Sequence, residues 1–247
     1  LKRRGCKVVG AGFALPGIVT DDMWLLVARN LGWENVNLTR FNVVRRLDVV
    51  AGNEAKMAAI AQIPGYATER APFLNVVDRT DSFIYLSTDI GIGGAVVRDG
   101  EVVMGSHGFA GEIGHLSVAM DGPLCSCGRH GCLEAFAGRR ALVEAAGIAE
   151  DGDATSSEAI DMFLQRWRAG DSDVAKVVDQ AADALVSAIA SAVNLVDVDT
   201  VLLGGLWTHF GDELATVLEG RLRSEILGYP NVKIRVFVPP VALHPSL

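Results

Sequence analysis

The stretch that decides the reading is GFAGEIGH (108–115) followed by CSCGRHGCLEAFAG (125–138). His115, Cys125, Cys127 and Cys132 fall within it, and three thiolates with one imidazole make the closed tetrahedral ligand set of a structural zinc site. Glycines at 122, 128 and 131 let the backbone fold tightly around an ion. Two other readings are an accidental cluster and one disulfide with an odd thiol, but a Cys-x-Cys disulfide would be strained. His130 is a competing nitrogen ligand, and its two-residue separation from Cys132 makes it the less comfortable one. Cys6, the fourth cysteine, is far away in sequence. Such clustering of few cysteines reads as metal binding in a reducing cytosol, so a cytoplasmic location is expected.

The rest of the chain bounds the answer. It has 247 residues, with 22 Lys+Arg against 30 Asp+Glu and a formal net charge of −8. The length predicts one large or two small domains. Half of the residues are hydrophobic and 21% are charged, which supplies a buried core and argues against global disorder. An acidic chain is not built to grip nucleic acid by itself, because duplex binding rests on neutralising phosphates. No apolar run is long enough for a membrane span. The basic start, Leu1 to Gly5, lacks an apolar region behind it and is no secretory signal. It also lacks an initiator Met, so the chain is expected to begin inside a longer protein.

Periodicity places the elements. Cys6–Val19 reads as a buried strand interrupted by small residues and ending at a Pro16-Gly17 turn. A strand is predicted at Leu47–Ala51, and a helix from Asn53 through Ala61. Residues 83–104 read as a hairpin: strand Phe83–Ser87, a glycine turn at Gly91–Gly94, strand Ala95–Val97, the Asp99-Gly100 turn and a return through Val102–Met104. Residues 105–134 form a long structured loop. Asp151–Ser157 is a polar break. Ala175–Val196 carries Val177, Val178, Ala181, Leu185, Ile189, Val193 and Val196 on one helical stripe. A strand at Thr200–Leu203, a Gly204-Gly205 turn, a helix near 212–227 and a strand at Lys233–Val238 follow. This order predicts a mixed α/β architecture.

Four further groups carry chemistry. Glu112 and Glu134 flank the metal motif, and carboxylates held rigidly there suit the acceptance of hydrogen bonds from a polyol. Otherwise they are solvated surface charges. Gly91–Gly94 either presents N–H groups to an anion such as phosphate or allows close packing, and Gly204-Gly205 is open to the same two readings. Asn53-Glu54 reads as a helix N-cap with an acidic first turn. It also reads as a polar pair at a cleft mouth, where the carboxylate takes a proton from a hydroxyl.

Taken together, GIGGAVV (91–97), GFAGEIGH (108–115) and CSCGRHGCLEAFAG (125–138) resemble the ROK family of repressors and sugar kinases. Flanking segments agree: ALPGIV (14–19), LGW (31–33), AGNEAKMAAIA (51–61) and VLLGG (201–205). The resemblance implies an α/β, actin-like, ribonuclease-H-like two-lobed fold with an interlobe cleft and a zinc-stabilised loop. Residues 1–52 would belong to an N-terminal lobe and 53–247 to the remaining lobe with the sugar and zinc region. A helix beyond residue 247 is expected to return to the first lobe. Asn53, Glu54, Glu112, His115 and Glu134 would bind sugar, and His115, Cys125, Cys127 and Cys132 would bind zinc. Gly91, Gly93, Gly94, Gly204 and Gly205 would line the nucleotide cleft of a kinase member.

Two departures matter. The kinase pattern has Asp where this chain has Glu54, and a misplacement of about an ångström can cost on the order of 10²-fold in rate. It also has Gly-Thr where this chain has Asp89-Ile90. The family's N-terminal Asp-x-Gly-Gly-Thr phosphate loop is either upstream of Leu1 or absent. The resemblance therefore implies a sugar-sensing effector domain of a transcriptional regulator. DNA would be bound by a winged helix-turn-helix upstream of Leu1, in a homodimer or homotetramer. The alternative is an ATP- and Mg²⁺-dependent sugar kinase with Glu54 as base.

Overall fold

The computed structural model describes residues 8, 10–47, 49–63, 77–79, 81–148 and 153–238. Cys6, Asp151 and Gly152 lie outside them. The first elements are β1 (Ala11–Leu15), β2 (Ile18–Val19), β3 (Trp24–Ala28), β4 (Trp33–Asn37), α1 (Asn42–Arg46), β5 (Val49–Asn53) and α2 (Glu54–Ile60). Then come β6 (Phe83–Thr88), β7 (Ile92–Arg98), β8 (Glu101–Val102), α3 (Glu134–Ala137), α4 (Arg139–Ala145) and α5 (Ser157–Arg168). The chain continues with α6 (Ser172–Val196), β9 (Thr200–Gly205), α7 (Gly211–Glu225) and β10 (Arg235–Phe237).

The main sheet is mixed, in the order β10-β9-β6-β7-β8. β9 runs parallel to both β6 and β10, and β7 runs antiparallel to β6 and β8. Side chains alternate faces along a strand, and both faces of this sheet are covered. Ile84 and Leu86 of β6, with Val201 and Leu203 of β9, point into a core shared with α4 to α7. Phe83, Tyr85 and Leu202 point the other way, against Ala58, Ala59 and Ile63 at and just beyond α2. A strand buried on both sides reads as a continuous apolar run, which is the pattern of Phe83–Leu86 and Val201–Leu203.

Helix α6 carries the predicted stripe inward, with Leu185 and Ile189 fully buried. Asp171 caps it by accepting from the N–H groups of Asp173 and Val174. At the N-terminal side, β2-β3-β4 is an antiparallel sheet and β1-β5 a parallel pair. Leu15 and Ala51 pack against Val19, Leu25, Ala28 and Leu38 to join the two. None of the described helices is long and apolar enough to cross a membrane.

The structure corrects three local expectations. Cys6–Val19 is not one buried strand: β1 is half-buried and β2 joins a different sheet, with Pro16-Gly17 between them. The turn between β6 and β7 lies at 89–91, and Gly93 and Gly94 are inside β7. A Cβ on Gly93 would come within 2.6 Å of the Ala55 Cβ, and one on Gly94 within 2.6 Å of the Gly111 carbonyl, so these glycines serve close packing rather than a turn. Likewise Gly204 and Gly205 end β9, with Gly204 pressed on the Tyr85 hydroxyl, and α7 begins only at Gly211. The Asp99-Gly100 turn stands as read, with φ of 52° and 78° at its two residues, the positive pair that a tight hairpin requires.

Leu185→Ala empties a site with no solvent access, and should cost about 2–5 kcal/mol of stability in chemical denaturation. A loss below about 1 kcal/mol would mean that α6 is not the pillar of this core.

Candidate sugar and metal site

Local backbone hydrogen bonds shape the loop between β8 and α3. The Cys125 N–H donates to the Arg129 carbonyl at 2.8 Å and the Gly128 N–H to the Cys125 carbonyl at 2.9 Å, which folds Cys125–Gly128 into a tight turn. The Leu133 and Val118 N–H groups close a short ribbon by donating to Leu116 and Gly131. Gly131 has φ of 73°, and a Cβ there would run into the Ala119 carbonyl. Arg129 donates to the His115 carbonyl at 2.7 Å, fastening the turn to the His115 end of the loop.

This fold brings His115, Cys125, Cys127 and Cys132 together, with all four ligand atoms within 4.8 Å of one another. His115 Nδ1 lies 3.7 Å from Cys125 Sγ, and the sulfurs of Cys127 and Cys132 are 3.6 Å apart. A tetrahedral ion with sulfur ligands at about 2.3 Å spaces them about 3.8 Å apart, whereas a disulfide needs about 2.05 Å. The donor set therefore fits a metal ion. Burial pushes Cys127 up, but hydrogen bonds from Arg129 and the neighbouring thiols outweigh it and bring the group down to about 6. Burial and the other two sulfurs push Cys132 to about 12. His130 lies outside the cluster, exposed, with its Nδ1 3.0 Å from the Gly122 carbonyl.

The predicted sugar residues are placed as follows. Asn53 ends β5 and caps α2: its Oδ1 accepts from the Lys56 N–H at 3.0 Å, and its Nδ2 donates to the Gly17 carbonyl at 2.7 Å. Glu134 begins α3. Its Oε1 accepts from Ser126 at 2.6 Å and its Oε2 from the Ile92 N–H at 3.1 Å, so one carboxylate ties the metal loop to the start of β7. Glu112 is half-buried. Burial raises its pKa above the ordinary 4.5 against the pull of His115 and Lys56, with Glu134 adding to the rise. Glu54 is exposed at the start of α2, where partial desolvation of its carboxylate and the Asp89 charge raise its pKa.

Three participants were not foreseen from the sequence. Arg139 binds Asp89 at 3.2 Å and donates to the Ser156 carbonyl at 2.7 Å. Ser126 holds Glu134. The Lys56 Nζ donates to the Gly108 carbonyl at 2.6 Å. The partners of Arg139 and Lys56 lie far off in sequence, and short motifs do not carry such pairings; Ser126 pairs within the metal motif itself.

A family model described as "ROK family" matches residues 1–243. The chain belongs to the ROK family. Among its relatives, it is 29% identical over 246 residues to the xylose repressor of Caldicellulosiruptor bescii, covering 93% of this chain and 58% of that protein. It is 32% identical over 193 residues to the N-acetylmannosamine kinase of Salmonella typhi, covering 78% of this chain and 62% of that one. It thus spans about three fifths of the length of these curated relatives. A ROK family glucokinase from Streptomyces griseus, solved in complex with glucose and AMPPNP, superposes with a TM-score of 0.80 at 24% identity, over 99% of this chain and 80% of that one. The ROK chain described here accordingly has the actin-like, two-lobed α/β fold, and both repressors and sugar kinases are its relatives.

Protein purified without chelator should carry about one metal ion per chain by elemental analysis. Cys127→Ser should strip most of it and expose 115–134 to limited proteolysis; full metal content in that variant would break the assignment of Cys127. The second expectation concerns pH. A raised carboxylate holds its proton more tightly in the folded chain, so its contribution to stability is present below 4.5 and is lost as pH rises. Glu112→Gln should therefore gain on the wild type in urea denaturation as pH climbs from about 4.5 to neutrality. A constant difference across that range would remove the stated environment of Glu112.

Proposed function

We propose that the chain is the sugar-sensing effector domain of a ROK-type transcriptional regulator. The sugar sits in the interlobe cleft, with Asn53, Glu112, His115 and Glu134 presented to its hydroxyls. Zinc fills the His115, Cys125, Cys127 and Cys132 cluster and holds the loop that carries His115 and leads into Glu134. DNA is bound by a winged helix-turn-helix ahead of Leu1, in a cytoplasmic homodimer or homotetramer. Ligand binding shifts the balance between lobe arrangements, and with it the spacing of the DNA-binding parts.

The observation that carries this reading over phosphoryl transfer is the pair of carboxylates at Glu54 and Asp89. Asp89 stands at the turn between β6 and β7, engaged by Arg139, and its charge acts on Glu54. The first N–H of β7, on Ile92, is already donated to Glu134. Gly93 and Gly94 are covered by Ala55 and Gly111. A nucleotide triphosphate would meet carboxylates here rather than free N–H groups, and like charges at close range repel it. Similarity to the xylose repressor, over 93% of this chain, supports the same side.

A panel of neutral monosaccharides including xylose, glucose and N-acetylmannosamine tests the proposal by thermal shift and calorimetry. A cognate sugar at about 100 times its Kd should raise the Tm by about 5 °C or more, and no ADP should form with ATP and Mg²⁺ present. Sugar-dependent ADP release that Glu54→Gln abolishes would make the chain a kinase instead. Absence of any shift across the panel would remove the sugar reading.

A further inference from the structure

α2 meets β7 through its alanines. Ala55, Ala58 and Ala59 are all buried, and their small size lets the helix lie close to the glycine face of the strand. Amid them sits Lys56, with only 5% of its surface exposed. A buried ammonium costs several kcal/mol unless it is partnered. Neither the helix nor its packing requires a cation here, because Met would fill the same volume with no charge to desolvate. What the ammonium gains is specific. Nζ donates to the Gly108 carbonyl at 2.6 Å, reaching from α2 to the loop that leads to Glu112. Burial lowers its pKa below the ordinary 10.5, against the pull of the Glu112 carboxylate on that loop and the Asp21 carboxylate in the turn between β2 and β3. The Gly108 end of the loop also runs beside Ile18 and Val19 of β2. One cation thus stands where three segments meet, and they are the segments that carry Asn53, Glu112 and the small sheet.

We infer that Lys56 is a positioning residue of the sugar site, which docks loop 105–112 onto α2 through the Gly108 carbonyl and so fixes where Glu112 meets a sugar hydroxyl. This rests on the sugar-binding reading of Glu112. The ammonium acts through the loop rather than on the sugar, because its short hydrogen bond goes to main chain. Removing it frees the loop and leaves Glu112 without a fixed place.

Lys56→Met, Glu112→Gln and the double variant test this in the full chain. Amide hydrogen exchange on the sugar-free protein reads the docking directly. In Lys56→Met the amides of 105–112 should exchange about 10-fold faster or more, the loss expected for a charge-assisted hydrogen bond, while α6 stays protected and metal content stays at the wild-type level. Calorimetry with the monosaccharide that the wild type binds reads the coupling. If Lys56 acts through Glu112, the double variant loses less affinity than the product of the two single losses. Unchanged exchange in 105–112 overturns the inference, and so do losses that multiply, which would mean independent contacts. Should Lys56→Met also lose protection in α6, Lys56→Gln gives the same two readings with a polar group kept at the position. If the wild type binds none of the panel sugars, the sugar reading fails, and the exchange experiment alone decides whether Lys56 docks the loop.

Discussion

The site depends on one bare surface, the glycine run at the start of β7. Three parts of the chain must converge there: α2 with Asn53 and Glu54, the loop with Glu112 and His115, and the Glu134 end of the metal loop. Each comes to rest where a side chain is missing. Ala55 lies over Gly93, Gly111 over Gly94, and the Glu134 carboxylate over Gly91. A methyl group at any of the three would push one component of the site outward while leaving the others in place. A strand interior is a poor place for glycine on propensity grounds, since it loses chain entropy and buries no side chain. Gly93 and Gly94 side by side inside β7, with Gly91 just before it, are explained by what they admit.

That constraint also shows what the sequence discloses and what it hides. The metal cluster is legible because its chemistry is local: four ligands of the right kind stand within one short stretch, and few other arrangements of Cys and His make sense there. α6 is legible because one face of Val177 to Val193 repeats at the helical period. The glycines at 93 and 94 are not, because a glycine that turns the chain and a glycine that admits a neighbour look the same in one dimension. Both readings were open until Ala55 and Gly111 were seen against them. β3 and β4 are hidden for a related reason: Trp24–Ala28 and Trp33–Asn37 show no clean alternation, and in their small sheet β3 is half-buried while β4 is mostly exposed. Lys56 and Asp89 owe their importance to Gly108 and Arg139, and nothing near them in sequence points to those partners.

Charge is distributed unevenly around the cleft. Glu54, Asp89, Glu112 and Glu134 supply carboxylates, while Lys56 and Arg139 are each committed to a protein partner. Such a lining offers acceptors in plenty. A polyol has hydroxyl protons to donate to them and carries no charge to be repelled, whereas a phosphate has only acceptors of its own. On the proposed reading, a preference for a neutral ligand would be a property of the whole lining and not of one residue.

The metal loop has a consequence for how the molecule comes to be folded. Its four ligands all lie between His115 and Cys132, so an ion closes a short segment at small entropic cost. The main sheet is different: Ile84 must find Val201 to begin the β6–β9 pairing, a long-range closure of the kind that slows folding. Nucleation can therefore start at the ion. A segment already cinched around metal would bring Leu116 and Leu133 together early, since the backbone of one bonds the other, and Leu133 belongs to the same buried core as α6. An ion bound at this cluster would then act as a folding seed, and metal supplied only after translation would meet a chain deprived of that local route.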